Sequence, residues 1–435
     1  MLVFRLNKIN LLATFVLENP YLVCIWLFVF SIAHAKAATL EALINDAVET
    51  HPTVRAQMAS ASAADLGIEI AHWQFYPTPS ISAEGLKTSA KDPIYQGDDH
   101  SISLSIEQPL WTGGRLTASL DQANAKARFT QYEVAIQQQK IAMDVLQAYV
   151  DWYAAFLQIK AREGSLATHQ RLFDFINSRV TQGASAANDL VLAKGRLALA
   201  ESQLLAATVE ESRALAQLEQ LVGASVNADQ LANKVAKPRV IATSQTDTLA
   251  QILLISPDIQ AALARVDMAN ADVAKQNAQL QPEFYLRFER QFGSYTNLDY
   301  GAHNRLFIGT RSQFGPGLSS FTTAKQTRLQ YHAALANVEA RELEITQQAM
   351  TDFALLEAIE QRLPALQVSQ ETAQQVLLSH ERQFQVGRKT WLDVLNAVRD
   401  LVQAELELVD TQVTQILVTW RLSIAMHRHM WYSYA

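Results

Sequence analysis

From His100 to Leu116 the chain alternates serine with aliphatic residues and then stops at Pro109 and a glycine pair. In an extended strand Ile102, Leu104 and Ile106 share one face, and Ser101, Ser103, Ser105 and Glu107 share the other. The period then changes. The stretch Thr117 to Gln182 has no proline and a single glycine, Gly164. Ile136, Met143, Leu146, Tyr149, Val150, Tyr153 and Leu157 recur at helical spacing among long polar residues. At about 1.5 Å per residue such a helix would reach roughly 100 Å, which no compact globule needs. The apolar stripe by itself equally fits an ordinary coiled-coil seam.

The same pattern is written twice. A helix-forming run lies between Pro52 and Pro77 and another between Pro257 and Pro282, displaced by 205 residues. Gly183 and Asp189 are matched by Gly387 and Asp393, displaced by 204. Each copy predicts a helix, two short strands (80–87 and 101–107; 283–292 and 304–311), a glycine-bearing exit, a very long helix and a returning helix. The expected organisation is a signal peptide over 1–37, a first repeat over 38–222, a connector over 223–247 and a second repeat over 248–435. Pro364 interrupts the second long stretch, which predicts a kink or side feature there.

The N-terminus carries Arg5 and Lys8, then the apolar run from Tyr21 to Ala33, then "AHAKAA", the layout of a secretory signal; a retained anchor helix is the alternative. The single cysteine, Cys24, lies inside that run, so the mature chain is expected to have neither disulfide nor thiol chemistry. A net charge of −7 and a pI near 5.8 argue against nucleic acid as a partner. The phosphate-cradle, dinucleotide, zinc-protease and nucleophile-elbow motifs are all missing, and His427 and His429 point apart on a helix. Neither catalysis nor a cofactor is expected.

In "EFYLRFERQF", Phe284, Leu286, Phe288 and Phe292 oppose Tyr285, Arg287 and Glu289. Soluble half-buried strands look alike. With a signal sequence and aromatic residues at strand ends (Phe75, Tyr76, Trp111, Tyr295, Tyr300, Phe307), however, the pattern points to membrane-barrel strands, apolar to lipid and polar to the lumen. The expected lipid-facing residues are Ile102, Leu104, Ile106, Phe284, Leu286 and Phe288. Four strands cannot close a transmembrane barrel, whose minimum is about eight. Closure therefore has to come from other copies of the chain, two giving about eight strands and three about twelve.

Signal peptide, tandem repeat, strand pairs, long helices and Gly-x5-Asp turns together resemble the TolC-type outer membrane factor family, over essentially the whole mature chain. The resemblance implies a mainly α-helical chain with membrane β: a homotrimer whose 12-stranded outer-membrane β-barrel continues as a periplasmic α-helical barrel. It also implies a periplasmic adaptor and an inner-membrane transporter of the ABC type as partners. "GPGLSS" and "VGRKTWLDVLNAVRD" look like the branch that exports large adhesins and agglutination factors by type I secretion.

The family's entrance corresponds to the turns at Gly183 and Gly387. Asp393 matches an inner acidic ring that would draw cations, while Asn396 stands where a second Asp is common. The family's latch positions look like Phe384, Lys389 and Asp189; Phe384 lacks a hydroxyl and Lys389 cannot make a forked bond, which implies a looser latch. Asp189 and Asp393 also suit the start of the returning helices, whatever else they do. Arg388 and Lys389 read either as a solvated turn or as an adaptor contact. A drug or metal efflux duct is the neighbouring alternative; a periplasmic coiled-coil adaptor and a secreted structural protein are alternatives of other classes.

Overall fold

The computed structural model describes residues 39–87, 94–95, 97–232, 244–296 and 302–426. The signal segment with Cys24, most of the connector, Tyr300, His427 and His429 lie outside the described residues.

Helix α1 (Leu40–Thr50) opens on Thr39, whose hydroxyl accepts from the Ala42 N–H, and buries Leu43, Ile44, Ala47 and Val48. Helix α2 (Pro52–Trp73) begins on a proline, whose fixed φ suits the first helical position. Strands β1 (Thr78–Gly85) and β2 (His100–Trp111) precede α3 (Arg115–Thr181) and α4 (Ala187–Val222). After a short α5 (Ala228–Ala232), the order recurs: α6 (Gln245–Ile255), α7 (Pro257–Ala278), β3 (Glu283–Phe292), β4 (His303–Arg311), a 3-10 turn at Pro316–Leu318, α8 (Ser319–Gln385) and α9 (Trp391–Met426). Corresponding helices have identical lengths. α1 and α6 have 11 residues, α2 and α7 22, α3 and α8 67, α4 and α9 36. Helix α8 runs unbroken through Pro364, whose ring is exposed. On that side the carbonyl left without an intrahelical donor can be hydrated, so the helix need not end.

The four strands form one antiparallel sheet in the order β1-β2-β3-β4. The two strand pairs are joined because β2 pairs with β3, with Ile106 opposite Phe288 and Ser103 opposite Gln291, so the two repeats share one sheet. The register shifts between Pro109 and Trp111, where proline has no N–H for the ladder. Within the chain β1 and β4 each have one unpaired edge.

Burial in this sheet is inside out. The apolar positions are the exposed ones, among them Ile81 at 72% and Ile308 at 79%, along with Ile102, Leu104, Ile106, Phe284 and Phe288; Leu286 is half-covered. In the two central strands the residues between them, Ser101, Ser103, Ser105 and Glu107 of β2 and Arg287 and Glu289 of β3, are the half-buried ones, while β1 is exposed throughout. On the polar face Ser80 and Ser105 hydroxyls meet at 2.7 Å, and Arg305 lies 3.6 Å from Glu289 and donates to Gln291 at 3.0 Å. Phe307 departs from its expected place among strand-end aromatics. It pairs with Arg287 on this polar face, where the guanidinium lies 4.9 Å from the ring centroid.

Among the described residues no single helix is long and apolar enough to cross a membrane. The helices pack through two separated main cores. One gathers α1, α2, α3, α4 and α9 around Tyr149, Trp152 and Trp420, with the Trp152 indole donating to Glu211 at 2.8 Å. The other sits at the far end of the long helices, around Ile176, Trp391, Val394 and Val398. Helices α8 and α9 are also joined by Arg421, which grips the buried carboxylate of Asp352 with both Nε, at 2.8 Å, and Nη2.

Candidate functional site

The far ends of the two helical hairpins carry the residues singled out in the sequence. Each long helix closes on a glycine with positive φ, Gly183 at 72° and Gly387 at 74°, a conformation that side-chain-bearing residues resist. The chain then turns back, with Ala184 N–H donating to Arg179 at 2.7 Å and Arg388 N–H to Gln383 at 2.9 Å.

The two returning helices start differently. In α9 the Asp393 carboxylate accepts from the Thr390 N–H (2.9 Å) and hydroxyl (2.8 Å), and Thr390 Oγ1 accepts from the Asp393 N–H (3.3 Å). This is a reciprocal capping box. In α4 the cap is Ala186, with no side-chain bond, and Asp189 makes only the backbone contact from its N–H to the Ala186 carbonyl at 3.0 Å. The two Thr390 hydrogen bonds, backbone first, hold the Asp393 carboxyl below the usual carboxylate range, and Lys389 adds to the shift. A carboxyl depressed in the folded state supports the fold above its ordinary pKa and loses that contribution as the pH falls through the lowered value. Thr390→Ala is therefore expected to raise the Asp393 titration midpoint toward the ordinary range, measured by carboxyl NMR; an unmoved midpoint refutes the box as its cause.

Among the described residues no hydrogen bond or ion pair joins Asp189 to Lys389, and Phe384 is occupied elsewhere. Its ring meets Phe175 edge-on at 5.9 Å and Trp391 at 5.7 Å between centroids. The Arg179 guanidinium lies 5.4 Å from the Phe384 centroid and 5.8 Å from that of Phe175, and it donates to Ser185 Oγ at 3.1 Å. The two turns of one protomer are thus joined by an aromatic cluster capped by an arginine. Sequence reasoning missed Phe175, Arg179 and Trp391. Beyond the Gly-x5-Asp turns, "TWLD", with threonine and aspartate three apart, carries a readable capping signal for this end. Arg388 and Leu392 are exposed here, and Asn396, one turn into α9, is half-buried.

A second charged assembly marks the other end of the long helices. Arg115, at the start of α3, lies 2.5 Å from Glu283 of β3, while Arg311 of β4 reaches both Glu107 and Glu283 at 3.4 Å. Glu107 and Arg311 are 204 residues apart, the spacing that separates the two turns, so equivalent positions of the repeats carry opposite charges and meet. Further down, Arg128 pairs with Asp267 at 2.8 Å and Gln122 with Asp272 at 2.6 Å, fastening α3 to α7.

A polar-lined sheet with an apolar exterior, standing on very long helices that end in narrow turns, has the parts of a conduit. Known proteins share it. The chain of the VceC outer membrane protein from Vibrio cholerae has the same fold, with a TM-score of 0.74 at 18% identity, covering 89% of this chain and 94% of that one. The outer membrane efflux protein BepC of Brucella suis is 24% identical over 91% of this chain and 86% of its own length. The alkaline protease secretion protein AprF of Pseudomonas aeruginosa is 22% identical over 72% of this chain and 66% of its own. The model of the outer membrane efflux protein family matches residues 43–224 and 248–419, one segment in each half. The chain belongs to that family, whose members are outer-membrane channels reaching into the periplasm.

Proposed function

We propose that the protein is the passive duct of a tripartite exporter: three copies close a twelve-stranded barrel, and the helical tube below it receives cargo from an adaptor and an inner-membrane transporter. The inside-out sheet with two open edges carries this reading. In lipid each unpaired edge group costs several kcal/mol, so β1 of one copy has to meet β4 of the next. Three copies supply about twelve strands and a lumen wide enough to conduct, where two would give one filled by side chains. No step in this role is catalytic.

Two cargo classes have support. Efflux of small molecules is favoured by the efflux relatives, BepC among them. Type I secretion of a large adhesin or agglutination protein through an ABC transporter is favoured by the "GPGLSS" and "VGRKTWLDVLNAVRD" segments and by the relation to a protease secretion protein. Crosslinked pull-down from cells separates them. An ABC transporter in the captured complex supports polypeptide secretion, a proton-driven pump supports efflux, and capture of neither with the protein in the soluble periplasmic fraction refutes the duct.

Asp393 is read both as helix cap and as one member of a threefold acidic ring; the reading is supported by its Oδ1, which makes no hydrogen bond among the described residues. Asp393→Ala is expected to weaken block by multivalent cations from the periplasmic side in planar-bilayer recordings while trimer yield stays close to wild type. Unchanged block removes the ring.

A further inference from the structure

About three to four turns above the hairpin tips, a cavity of about 300 Å³ opens between α3, α4 and α9. Its polar lining consists of groups able to donate: Arg162, Ser165 and His169 from α3, Arg196 and Gln203 from α4, and Asn396 and Arg399 from α9 among them. No carboxylate lines it, in a chain whose net charge is −7. Arg399 is partly neutralised by Asp400 at 2.9 Å. Arg162 donates only to the neutral Gln203, at 2.6 Å, and neither it nor Arg196 has an ion pair among the described residues. Burial and the Arg196 charge hold the His169 imidazole below its ordinary pKa.

Two half-buried guanidinium groups, Arg162 and Arg196, and the half-buried His169 imidazole face this cavity from α3 and α4, with Leu395 and Val402 as its apolar floor and the exposed Arg399, paired with Asp400, at its rim on α9. Guanidinium forks match the paired oxygens of phosphate and carboxylate groups. We infer that this cavity is a binding site for a small oxyanion of the phosphate type, beside Asn396 and inside the entrance end of the helical tube. The site lies apart from Asp393 and opposes it in sign, so an occupied cavity would place a negative group where the second acidic ring is missing. Neither the choice of cargo nor that of transporter enters the inference.

Isothermal titration of the intact detergent-solubilised protein, with inorganic phosphate and with phenyl phosphate, tests it. Saturable binding of one ion per protomer is expected, weakened about tenfold or more in Arg196→Gln and further in Arg162→Gln with Arg196→Gln, because each change removes a charge-assisted hydrogen bond. Lys194→Gln, on the exposed side of α4, should bind as wild type does. Tighter binding of phenyl phosphate would assign the organic part of the ligand to the leucine and valine floor, and equal binding would assign recognition to the anion alone; both support the site. Absence of saturable heat with the unmodified protein overturns it, as does binding that survives the double substitution. No binding together with a loosened trimer in Arg196→Gln also overturns it, and would assign the arginines to a carboxylate of the neighbouring copy.

Discussion

Ile106→Asp is expected to deplete assembled protein from the outer membrane, whereas Ser103→Asp, three residues away on the same strand, is expected to assemble normally. The two side chains point to opposite faces of β2, and only the first is exposed among apolar neighbours, opposite Phe288 and flanked by Pro79. A charge on a lipid-facing strand position costs up to about 2–4 kcal/mol near mid-depth for Arg or Lys and somewhat less for Asp, repeated in every copy of a barrel. Ile106 is a better probe than Leu104, because Leu104 faces Arg290 across the strands and an aspartate there would find a cation. The reading is the fraction of detergent-resistant trimer recovered from outer membranes. Equal recovery of the two variants would show that the apolar face does not meet lipid.

Trp391→Ala is expected to loosen the tip and raise single-channel conductance. Trp391 is 5% exposed and touches Phe384, which in turn touches Phe175 of the other hairpin. Truncating a buried tryptophan costs about 3–5 kcal/mol when the surroundings cannot collapse into the space. That loss falls on the tip core, which is separate from the one around Trp152, so assembly should survive while the turns part. Hydrogen exchange over 172–180 and 391–398 should quicken, with exchange around Tyr149 unchanged, and Trp391→Phe should restore most of the protection. If both conductance and tip exchange match the unmodified protein, the aromatic cluster does not hold the entrance closed.

The helices were legible because their signals are local. The proline-free run after Thr117 marked α3, and proline at the first turn marked α2 and α7. Alternation alone located β3, whose ends coincide with those expected. What sequence could not supply was contact between distant segments. The β2–β3 pairing joins Ile102 to Phe292 across an entire repeat, and nothing near either residue announces it. Phe307 was read by residue type as a strand-end aromatic, but strand parity sets it beside Arg287 on the polar face. At the tip, Phe175, Phe384 and Trp391 come from three helices, and the basic cavity likewise draws on three, so each fragment taken separately reads as ordinary helix surface. At Pro364 the 67-residue helix continues through the proline, so this residue marks no boundary of the element.

The matched helix lengths limit how such a gene can change. Deleting one residue from α3 alone would turn everything beyond it by about 100° and draw one hairpin end up by about 1.5 Å while its twin stayed put. Arg179 would then swing away from Phe384, and the two ends would no longer be level. Insertions and deletions should therefore survive only in compensating sets, spread over both halves and both limbs of each hairpin, which makes tube length a quantity inherited in steps rather than continuously.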